Sequence, residues 1–308
     1  MPRIVVFKGG CSSEREVSLV SGKAVAEALR RCGCDVAEID LTAEALPAGI
    51  DPSRDVIFPV LHGGYGENGG VQADLEKAGF AYAGCDAAAS AICMDKPKAK
   101  ALAEKAGVRV AKSVVLDEST HLTAAEIVAA IGVADLVAKP ACEGSSVGLA
   151  LLASESELAA WLGTQRKGVW LVEERIRGRE LTCGVLGGKG MGIVQIVPAV
   201  GVYDFKSKYT PGSTNYIYPA PISEKAADTV RRKSEAAFTA CGCRDYARAD
   251  FILPADGEPV FLELNTLPGM TPTSLLPKSA SCVGLSFEKL VLKMIEPAIA
   301  RMPVKAVC

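Results

Sequence analysis

The residue types best suited to chemistry lie in one short stretch, YARADFILPADGEPVFLELN at 246–265. Two apolar runs flank Asp256-Gly257, a dipeptide that favours the turn of a β-hairpin. Asp250 stands in the first run. Glu263 and Asn265 are two residues apart in the second run, so they share one face of that strand. Antiparallel pairing across the turn could bring the three side chains together.

Two carboxylates and an amide oxygen suit a hard cation. Mg²⁺ takes one or two carboxylates and leaves its other positions to water and phosphate oxygens. The alternative is that these acidic residues lie on a solvated face of the hairpin. Because they interrupt otherwise apolar strands, where an unpaired charge is costly, the pattern favours a metal site.

The composition is that of an ordinary soluble protein. The 308 residues are 49% hydrophobic and 23% charged, enough for two or three domains. A net charge of −2 argues against a general nucleic-acid or membrane surface. The initial MPRIVVFKGG is too short an apolar run for a signal peptide, and no stretch approaches the ~18 apolar residues that span a bilayer. We therefore expect a cytoplasmic protein with no nucleic-acid or membrane partner.

The 11 cysteines raise the question of a disulfide framework or a zinc site. The two tightest pairs, Cys32-Gly33-Cys34 and Cys241-Gly242-Cys243, lack the C-x₂₋₄-C spacing usual in structural zinc sites. Each follows a helical pattern and precedes a strand, so each glycine is expected to end a helix. The odd count also weighs against complete pairing. We predict free thiols in a reducing cytosol.

The N-terminal third alternates strands with helices. Strands are predicted at 4–7, 36–39 and 56–61, and helices at 14–31 and 71–78. This order predicts a parallel α/β layout, in which ligands bind at the carboxyl ends of the strands.

Two glycine-rich turns follow strands in this layout. GGCSSEREVS at 9–18 leads into a helix N-terminus, which suits anions, although Glu14 there could simply complement the helix dipole. HGGYGENGG at 62–70 would let the backbone approach a ligand closely. His62 is a candidate ligand group, but a structural histidine beside a flexible loop fits the same pattern.

The middle of the chain carries lysines and carboxylates near predicted strand ends. Lys139 ends a strand at 136–140, and the Gly/Ser loop after it can cradle phosphate. It is not a P-loop, because G-x-x-x-x-G-K-[ST] is absent from the sequence. Glu173 and Glu174 end a strand at 169–174, and such carboxylates could accept hydrogen bonds from a nucleotide. By sequence alone, a solvated edge is the simpler interpretation of both.

The C-terminal half contains one long polar segment, 201–219, followed by a predicted helix at 224–240. A structureless segment of this length is often a binding loop or lid, with Lys206, Lys208 and Tyr209 as its working residues. The glycine-rich 184–192 is predicted to be a hairpin turn. A final amphipathic helix is predicted at 287–302.

Several segments, in this order, resemble the D-alanine–D-alanine ligase family of the ATP-grasp superfamily. The resemblance covers nearly the whole chain. Its most specific parts are GGCSSEREVSLVSG at 9–22, HGGYGENG at 62–69, MDK at 94–96, KPACEGSSVG at 139–148, KYTPGSTNY at 208–216, and RADF at 248–251 followed by ELNTLPGMTPTSL at 263–275.

The resemblance implies a three-domain α/β ATP-grasp fold with an N-terminal parallel-sheet domain and ATP held between the central and C-terminal domains. The expected bounds are 1–92, 93–180 and 181–308, with a lid loop at 201–219. The implied activity is ligation of two D-alanine molecules through D-alanyl phosphate, for peptidoglycan precursors. ATP, two Mg²⁺ (or Mn²⁺) and a homodimer are implied as well. The alternatives are a ligase making D-alanyl-D-lactate or D-alanyl-D-serine, and a non-catalytic nucleotide-binding regulator.

The resemblance also implies a role for each site residue. The catalytic groups would be Glu14, Ser145, Tyr209, Arg248 and Gly269, the last two forming an oxyanion hole. The ATP-binding groups would be Lys96 and Lys139 at phosphates, Glu173, Glu174 and Ile176 at adenine, Glu180 at ribose, and Lys208 at the γ-phosphate. The D-alanine sites would include His62, Ser274 and Leu275, and the metal ligands would be Asp250, Glu263 and Asn265.

Two residues depart from the family pattern. Asn68 stands where the family usually has aspartate, and Glu174 stands where some members have lysine. Neither belongs to the implied metal or oxyanion groups, so the departures bear on ATP affinity and leave the reaction class unchanged.

Overall fold

The computed structural model describes residues 2–144, 148–164, 167–199, 212–271 and 273–302. These residues form three β-sheets that follow one another along the chain, with helices packed between and around them.

The first sheet is parallel, as the sequence predicts. Its spatial order is β2-β1-β3-β4. The strands are β1 (Arg3–Gly9), β2 (Val36–Leu41), β3 (Asp55–Pro59) and β4 (Ala81–Tyr82). The helices of this region are α1 (Arg15–Arg31), α2 (Gly64–Glu67) and α3 (Gly70–Lys77).

The second sheet is small and antiparallel, in the order β5-β8-β6-β7. Its strands are β5 (Ser113–Leu116), β6 (Leu136–Pro140), β7 (Ala150–Leu152) and β8 (Trp170–Glu174). Helices α6 (Ala124–Ile131) and α7 (Glu155–Leu162) cover one face, where Ile127 and Leu158 are fully buried.

The third sheet is antiparallel, in the order β11-β10-β9-β12-β13. Its strands are β9 (Arg179–Leu186), β10 (Lys189–Pro198), β11 (Thr214–Ile217), β12 (Tyr246–Leu253) and β13 (Val260–Asn265). Two helices precede the second sheet in the chain, α4 (Ala87–Met94) and α5 (Lys96–Lys105). Three more follow β11: α8 (Glu224–Ala240), α9 (Leu275–Ser281) and α10 (Phe287–Ala300).

Helix packing ties the sheets together. Ala99 and Ala103 of α5 lie in the same apolar cluster as Phe251 and Phe261 of the third sheet. The C-terminal helix α10 instead joins the core of the first sheet, where its Met294 shares a cluster with Leu29 of α1. The domain bounds of 1–92, 93–180 and 181–308 therefore remain a prediction, because α5 and α10 each pack against a sheet that those bounds assign to another domain.

The expected loop at 201–219 is wrong in its last part, because Thr214–Ile217 is the edge strand β11 paired with β10. Its residues alternate between half-buried and exposed, and the half-buried Tyr216 packs on the cluster of Val194, Ile196 and Leu275. An edge strand of this kind carries polar residues on its open face, so its sequence resembles that of a loop. Residues 200–211 lie outside the described part of the chain.

Both Cys-Gly-Cys segments end helices as predicted. Gly33 and Gly242 have φ of 81° and 71°, the left-handed conformation that glycine adopts after a helix. The cysteines among the described residues are free thiols, as predicted. None of the described helices is long and apolar enough to cross a bilayer.

Asp245 joins the first sheet to the third. Its carboxylate accepts two hydrogen bonds from the Arg301 guanidinium, at 2.8 and 2.5 Å, and one from the Gly84 backbone at 2.9 Å. Its φ of 58° is unusual for a residue other than glycine. Because β12 begins at the next residue, this buried junction fixes the start of the strand that carries Asp250.

A second buried carboxylate, Asp55 of β3, gives a prediction about acid stability. It accepts hydrogen bonds from Arg3 Nε at 2.8 Å, Arg3 Nη2 at 2.7 Å and the Asp51 backbone at 2.8 Å. Burial alone would raise the pKa of Asp55, but these donors and Arg54 outweigh it and lower the pKa to about 2. A lowered pKa stabilises the fold above the ordinary value of 3.8, and this contribution is lost as the pH falls through about 2.

Asp55→Asn should therefore lower the free energy of unfolding by about 1–3 kcal/mol at neutral pH. The difference from wild type should shrink between about pH 4 and pH 2, where the wild-type carboxylate takes up its proton. Urea denaturation across this range measures both. Asp35→Asn, at an exposed position beside the same sheet, is the control and should change stability little. A difference that stays constant with pH would contradict the assignment.

Candidate active site

The register of β12 and β13 brings the three candidate metal ligands together. Asp250 lies directly opposite Glu263, and Arg248 lies opposite Asn265. The predicted hairpin and its pairing are confirmed. The register shifts just after Asp250, so the regular ladder ends beside the site.

Asp250 is buried, and most of its acceptor positions are in use. Its Oδ1 accepts hydrogen bonds from Thr182 Oγ1 at 2.5 Å and Arg248 Nε at 3.0 Å, and its Oδ2 accepts one from Arg248 Nη2 at 2.9 Å. A carboxylate has about four lone-pair positions. These contacts therefore leave one lone-pair position on Oδ2 for a further ligand. The same carboxylate holds the Arg248 guanidinium in a fixed orientation.

Asn265 supplies the observation that best fits a cation. Its Oδ1 is buried and has no hydrogen-bond partner among the described residues. Leaving a buried carbonyl oxygen unpaired costs about 1–3 kcal/mol, so such an atom calls for an explanation. Within the described part of the chain, no three His, Cys, Asp or Glu side chains group as a metal site. A cation beside Asp250, Glu263 and Asn265 would therefore depend on water and phosphate oxygens for its other positions, as Mg²⁺ commonly does.

A lysine of α5 approaches this oxygen cluster. Lys96 is the first residue of α5, whose N-cap Asp95 accepts a hydrogen bond from the Lys98 backbone. The Lys96 ammonium lies 3.6 Å from Glu263 Oε2 and donates to the backbone carbonyl of Glu143. The MDK motif is thus a helix start that places Lys96 between the carboxylates and the loop after β6.

Lys139 and Glu173 form the other side of the expected ATP site. Lys139 Nζ lies 2.9 Å from Glu173 Oε1, and Lys100 Nζ lies 2.9 Å from Glu173 Oε2. Burial alone would raise the pKa of Glu173, but the two ammonium groups outweigh it and lower that pKa. The interpretation of Glu173 as part of a solvated edge is wrong, because this side chain is buried between two cations.

The remaining candidates for the nucleotide lie along β8 and β9. Glu174 is half-buried, and its Oε1 accepts a hydrogen bond from the Lys112 backbone at 2.9 Å. Ile176 is half-buried in the connection between the strands. Glu180 is half-buried on β9, paired with Ile196 and Ile252. The roles of Glu174, Ile176 and Glu180 with adenine and ribose stay predictions.

Glu14 and Gly63, the residue after His62, lie close together beside the carboxyl ends of the first sheet. Ser12 Oγ donates to the His62 carbonyl at 2.5 Å. A Cβ built on Gly63 would lie 3.1 Å from the Ser12 Cβ and 3.5 Å from Glu14 Oε2. Gly63 also has φ of 68°, so glycine is favoured by the backbone conformation, and the Ser12 side chain leaves little room for a Cβ.

His62 itself is buried, with Nδ1 3.7 Å from Glu67 Oε1. Its Nε2 is buried and lacks a hydrogen-bond partner among the described residues. A small cavity lies here, lined in part by Ser12, His62 and Gly63. Glu14 stands at the N-cap of α1 but makes no capping hydrogen bond with its side chain. The unpartnered nitrogen and the cavity favour a ligand site over the structural alternative for His62, and the role of Glu14 stays a prediction.

Gly269, Ser274 and Leu275 lie together at the other end of the site. A Cβ on Gly269 would approach Ser274 Oγ to 2.8 Å, so only glycine fits there without a shift. Ser274 Oγ accepts a hydrogen bond from the Thr271 backbone at 2.9 Å, and Leu275 begins α9. The Met270 backbone donates to Ser21 Oγ of α1 at 3.2 Å, so the first helix supports this loop.

Three residues named from the sequence, Ser145, Lys208 and Tyr209, lie outside the described residues. Three residues of the site were not named from the sequence: Glu67, Lys100 and Thr182. Lys100 follows Lys96 by four positions in a helix, a spacing that predicts a shared face. Thr182 and Glu67 gave no such signal, since their contacts depend on the fold.

Comparison with known proteins places the chain in a family. The sequence model of the protein family described as "D-ala D-ala ligase C-terminus" matches residues 102–296 of this chain. This chain belongs to the D-alanine–D-alanine ligase family. The D-alanine–D-alanine ligase of Halalkalibacterium halodurans is 42% identical over 306 residues, 97% of this chain and 100% of that protein. The corresponding ligase of Anaeromyxobacter dehalogenans is 43% identical over 304 residues, 96% of each.

Solved structures of ligases in this family are similar over the whole chain. The D-alanine–D-alanine ligase of Bacillus anthracis complexed with ATP aligns with a TM-score of 0.84 at 33% identity, covering 97% of both chains. The VanG D-Ala:D-Ser ligase of Enterococcus faecalis aligns with a TM-score of 0.85 at 31% identity, covering 96% of this chain and 99% of that one. The expected α/β ATP-grasp fold class is confirmed.

The unpaired oxygen of Asn265 gives a prediction that separates function from stability. Asn265→Ala should change the free energy of unfolding by less than about 1 kcal/mol, because the Oδ1 forms no hydrogen bond that the change would remove. It should raise the Mg²⁺ concentration for half-maximal ATP-dependent turnover about tenfold, if one ligand is worth about 1.4 kcal/mol.

Denaturation and a Mg²⁺ titration of turnover measure the two effects. Asn215→Ala, an exposed residue of β11, should alter neither. An Asn265→Ala enzyme with the Mg²⁺ dependence of wild type would remove Asn265 from the metal site.

Proposed function

We propose that this protein ligates two D-alanine molecules to D-alanyl-D-alanine with ATP, through D-alanyl phosphate. The observation that carries the proposal is the pairing of Asp250 with Glu263 beside the unpaired Oδ1 of Asn265, next to the ammonium of Lys96. The similarity to proteins named D-alanine–D-alanine ligase, at 42–43% identity over nearly the whole chain, supports it.

The nucleotide would lie between the second and third sheets. Lys96, Lys139 and Lys208 would hold its phosphates, since ammonium groups suit phosphate oxygens as point charges. Glu173, Glu174, Ile176 and Glu180 would contact the adenosine. Asp250, Glu263 and Asn265 would hold two Mg²⁺ or Mn²⁺ ions, which offset the charge of the phosphates when bound.

The first D-alanine would bind at the carboxyl ends of the first sheet. Glu14 would accept hydrogen bonds from its ammonium, together with Ser145 and Tyr209, and His62 would lie close by. A carboxylate is a poor acylating agent. Attack of its oxygen on the γ-phosphorus of ATP forms D-alanyl phosphate and releases ADP, so the acyl carbon then carries phosphate as a good leaving group.

The second D-alanine would bind near the start of α9, with its carboxylate at Ser274 and Leu275, where helix N–H groups are available. Its free amine attacks the acyl carbon and phosphate leaves. Arg248, held by Asp250, and the backbone N–H of Gly269 would stabilise the oxyanion. Each such donor contributes about 2.7–4 kcal/mol in comparable sites.

The expected organisation belongs to the same proposal. The protein would act in the cytoplasm as a homodimer, with three domains at 1–92, 93–180 and 181–308. The part of the lid that precedes β11 would exclude water from the acyl phosphate when ATP is bound.

A second candidate function is the D-alanyl-D-serine ligation named for VanG, whose structure is similar at 31% identity. D-serine differs from D-alanine by a hydroxyl group, so discrimination depends on the groups around the second amino acid. D-alanine is proposed here because the relatives of higher identity carry the D-alanine–D-alanine name.

The direct test is phosphate release from ATP with D-alanine, compared with L-alanine, D-serine and D-lactate at equal concentration. Release should require D-alanine, and mass spectrometry should identify the dipeptide. Dominant D-alanyl-D-serine in a mixture of both acceptors would favour the second candidate. ATP binding without phosphate release would favour a non-catalytic regulator.

Asp250→Asn should lower turnover by about 100-fold or more, because one change weakens both the metal site and the orientation of Arg248. The free energy of unfolding should fall by only about 1–3 kcal/mol, since an amide oxygen can still accept from Thr182 and from Arg248 Nε. Asp117→Asn, in an exposed turn, is the matched control. An Asp250→Asn enzyme with near wild-type turnover at limiting Mg²⁺ would contradict the assignment.

A further inference from the structure

Lys100 has no assigned role, yet among the described lysines near the candidate ATP site (Lys96, Lys100 and Lys139) its ammonium group is the most enclosed. Its side chain is 5% exposed, and that of its partner Glu173 is 4% exposed. Lys96, Ala99, Lys100 and Ala103 form the buried stripe of α5, so the face that packs onto the third sheet carries two lysines. A buried lysine is unusual unless it is paired, which points to a specific use.

Lys100 connects three elements of the site. Its Nζ lies 2.9 Å from Glu173 Oε2 on β8 and donates to the Phe261 carbonyl of β13 at 3.2 Å. The other oxygen of Glu173 lies 2.9 Å from Lys139 Nζ on β6. Lys100 thus forms an ion pair with the same carboxylate that pairs with Lys139, and its hydrogen bond to Phe261 connects that pair to the strand that carries Glu263.

The charges in this cluster do not balance. Two ammonium groups share one carboxylate, so the Lys100–Glu173–Lys139 triad carries a net positive charge in a region with little water. Burial and the neighbouring Lys139 lower the pKa of Lys100 to about 8, although Glu173 and Glu263 act in the opposite direction. An excess buried charge of this kind is relieved when an anion such as a nucleotide phosphate arrives.

We propose that Lys100 is a positioning residue for ATP, which orients Lys139 through Glu173 and supplies the positive charge that the phosphates offset. The proposal rests on the proposed ATP-dependent function and adds a residue to it. Lys100 does not touch the reacting atoms, because Glu173 lies between it and Lys139.

The test compares Lys100→Met with Lys105→Met, an exposed lysine at the end of the same helix. Lys100→Met keeps the length of the side chain and removes its charge. The dissociation constant for a non-hydrolysable ATP analogue with Mg²⁺ should rise about tenfold or more, because the variant loses the positive charge that the phosphates offset and holds Glu173 through Lys139 alone. The KM for ATP should rise in parallel, while kcat changes less. Lys105→Met should match wild type.

A purely structural Lys100 would give a different result. Lys100→Met would then unfold at a lower temperature, but the folded variant would bind the analogue as tightly as wild type. That outcome overturns the inference. If wild type binds no ATP at all, the proposed function fails and the inference with it. If wild type binds ATP and Lys100→Met binds it equally well, the inference alone fails.

A pH series covers the case in which Lys100→Met does not fold. The charged groups that face Lys100 among the described residues are Glu173 of β8, Lys139 of β6 and Glu263 of β13. The wild-type affinity for the analogue should weaken between about pH 7 and pH 9.5, as Lys100 loses its proton. Lys100→Arg keeps its charge in this range, so its affinity should change less. A wild-type affinity that is independent of pH here overturns the inference.

Discussion

The structure depends on the pairing of one hairpin. The register that sets Asp250 opposite Glu263 also sets Arg248 opposite Asn265, so one strand pair brings together the proposed metal ligands and the arginine proposed for the oxyanion hole. A slip by one residue would turn each of these side chains to the other face of the sheet. The surrounding contacts resist that slip, because Thr182 on the neighbouring strand bonds Asp250 and Lys100 bonds the Phe261 carbonyl.

The buried charges beside this hairpin are matched at one pair and leave an excess positive charge at a triad. Asp250 neutralises Arg248, and Glu173 is shared by Lys100 and Lys139. The atoms left without a partner among the described residues include Asn265 Oδ1 and His62 Nε2. One lies beside the proposed metal and the other beside the proposed first substrate. Unpaired buried polar atoms cost stability, and their position at both ends of the site fits groups that ligands complete.

Much of this could be predicted from the sequence, where local patterns are strong. The Asp256-Gly257 turn and its flanking apolar runs define the hairpin, and helix α8 has the predicted bounds of 224–240. Gly33 and Gly242 follow the rule for helix ends. What failed was set by tertiary contacts. Glu173 ends a strand like any solvated residue, and only the packing of α5 encloses it. Thr214–Ile217 is short, and its sequence alone does not show that it pairs with β10.

The central claim is that the carboxylate of the first D-alanine attacks the γ-phosphate before the peptide bond forms. D-alanine labelled with ¹⁸O in both carboxylate oxygens tests this most directly. The acyl phosphate transfers one of those oxygens to the phosphate that leaves. Mass analysis of the released phosphate should therefore show one ¹⁸O atom per molecule of dipeptide formed. Dipeptide formed with unlabelled phosphate would contradict the account.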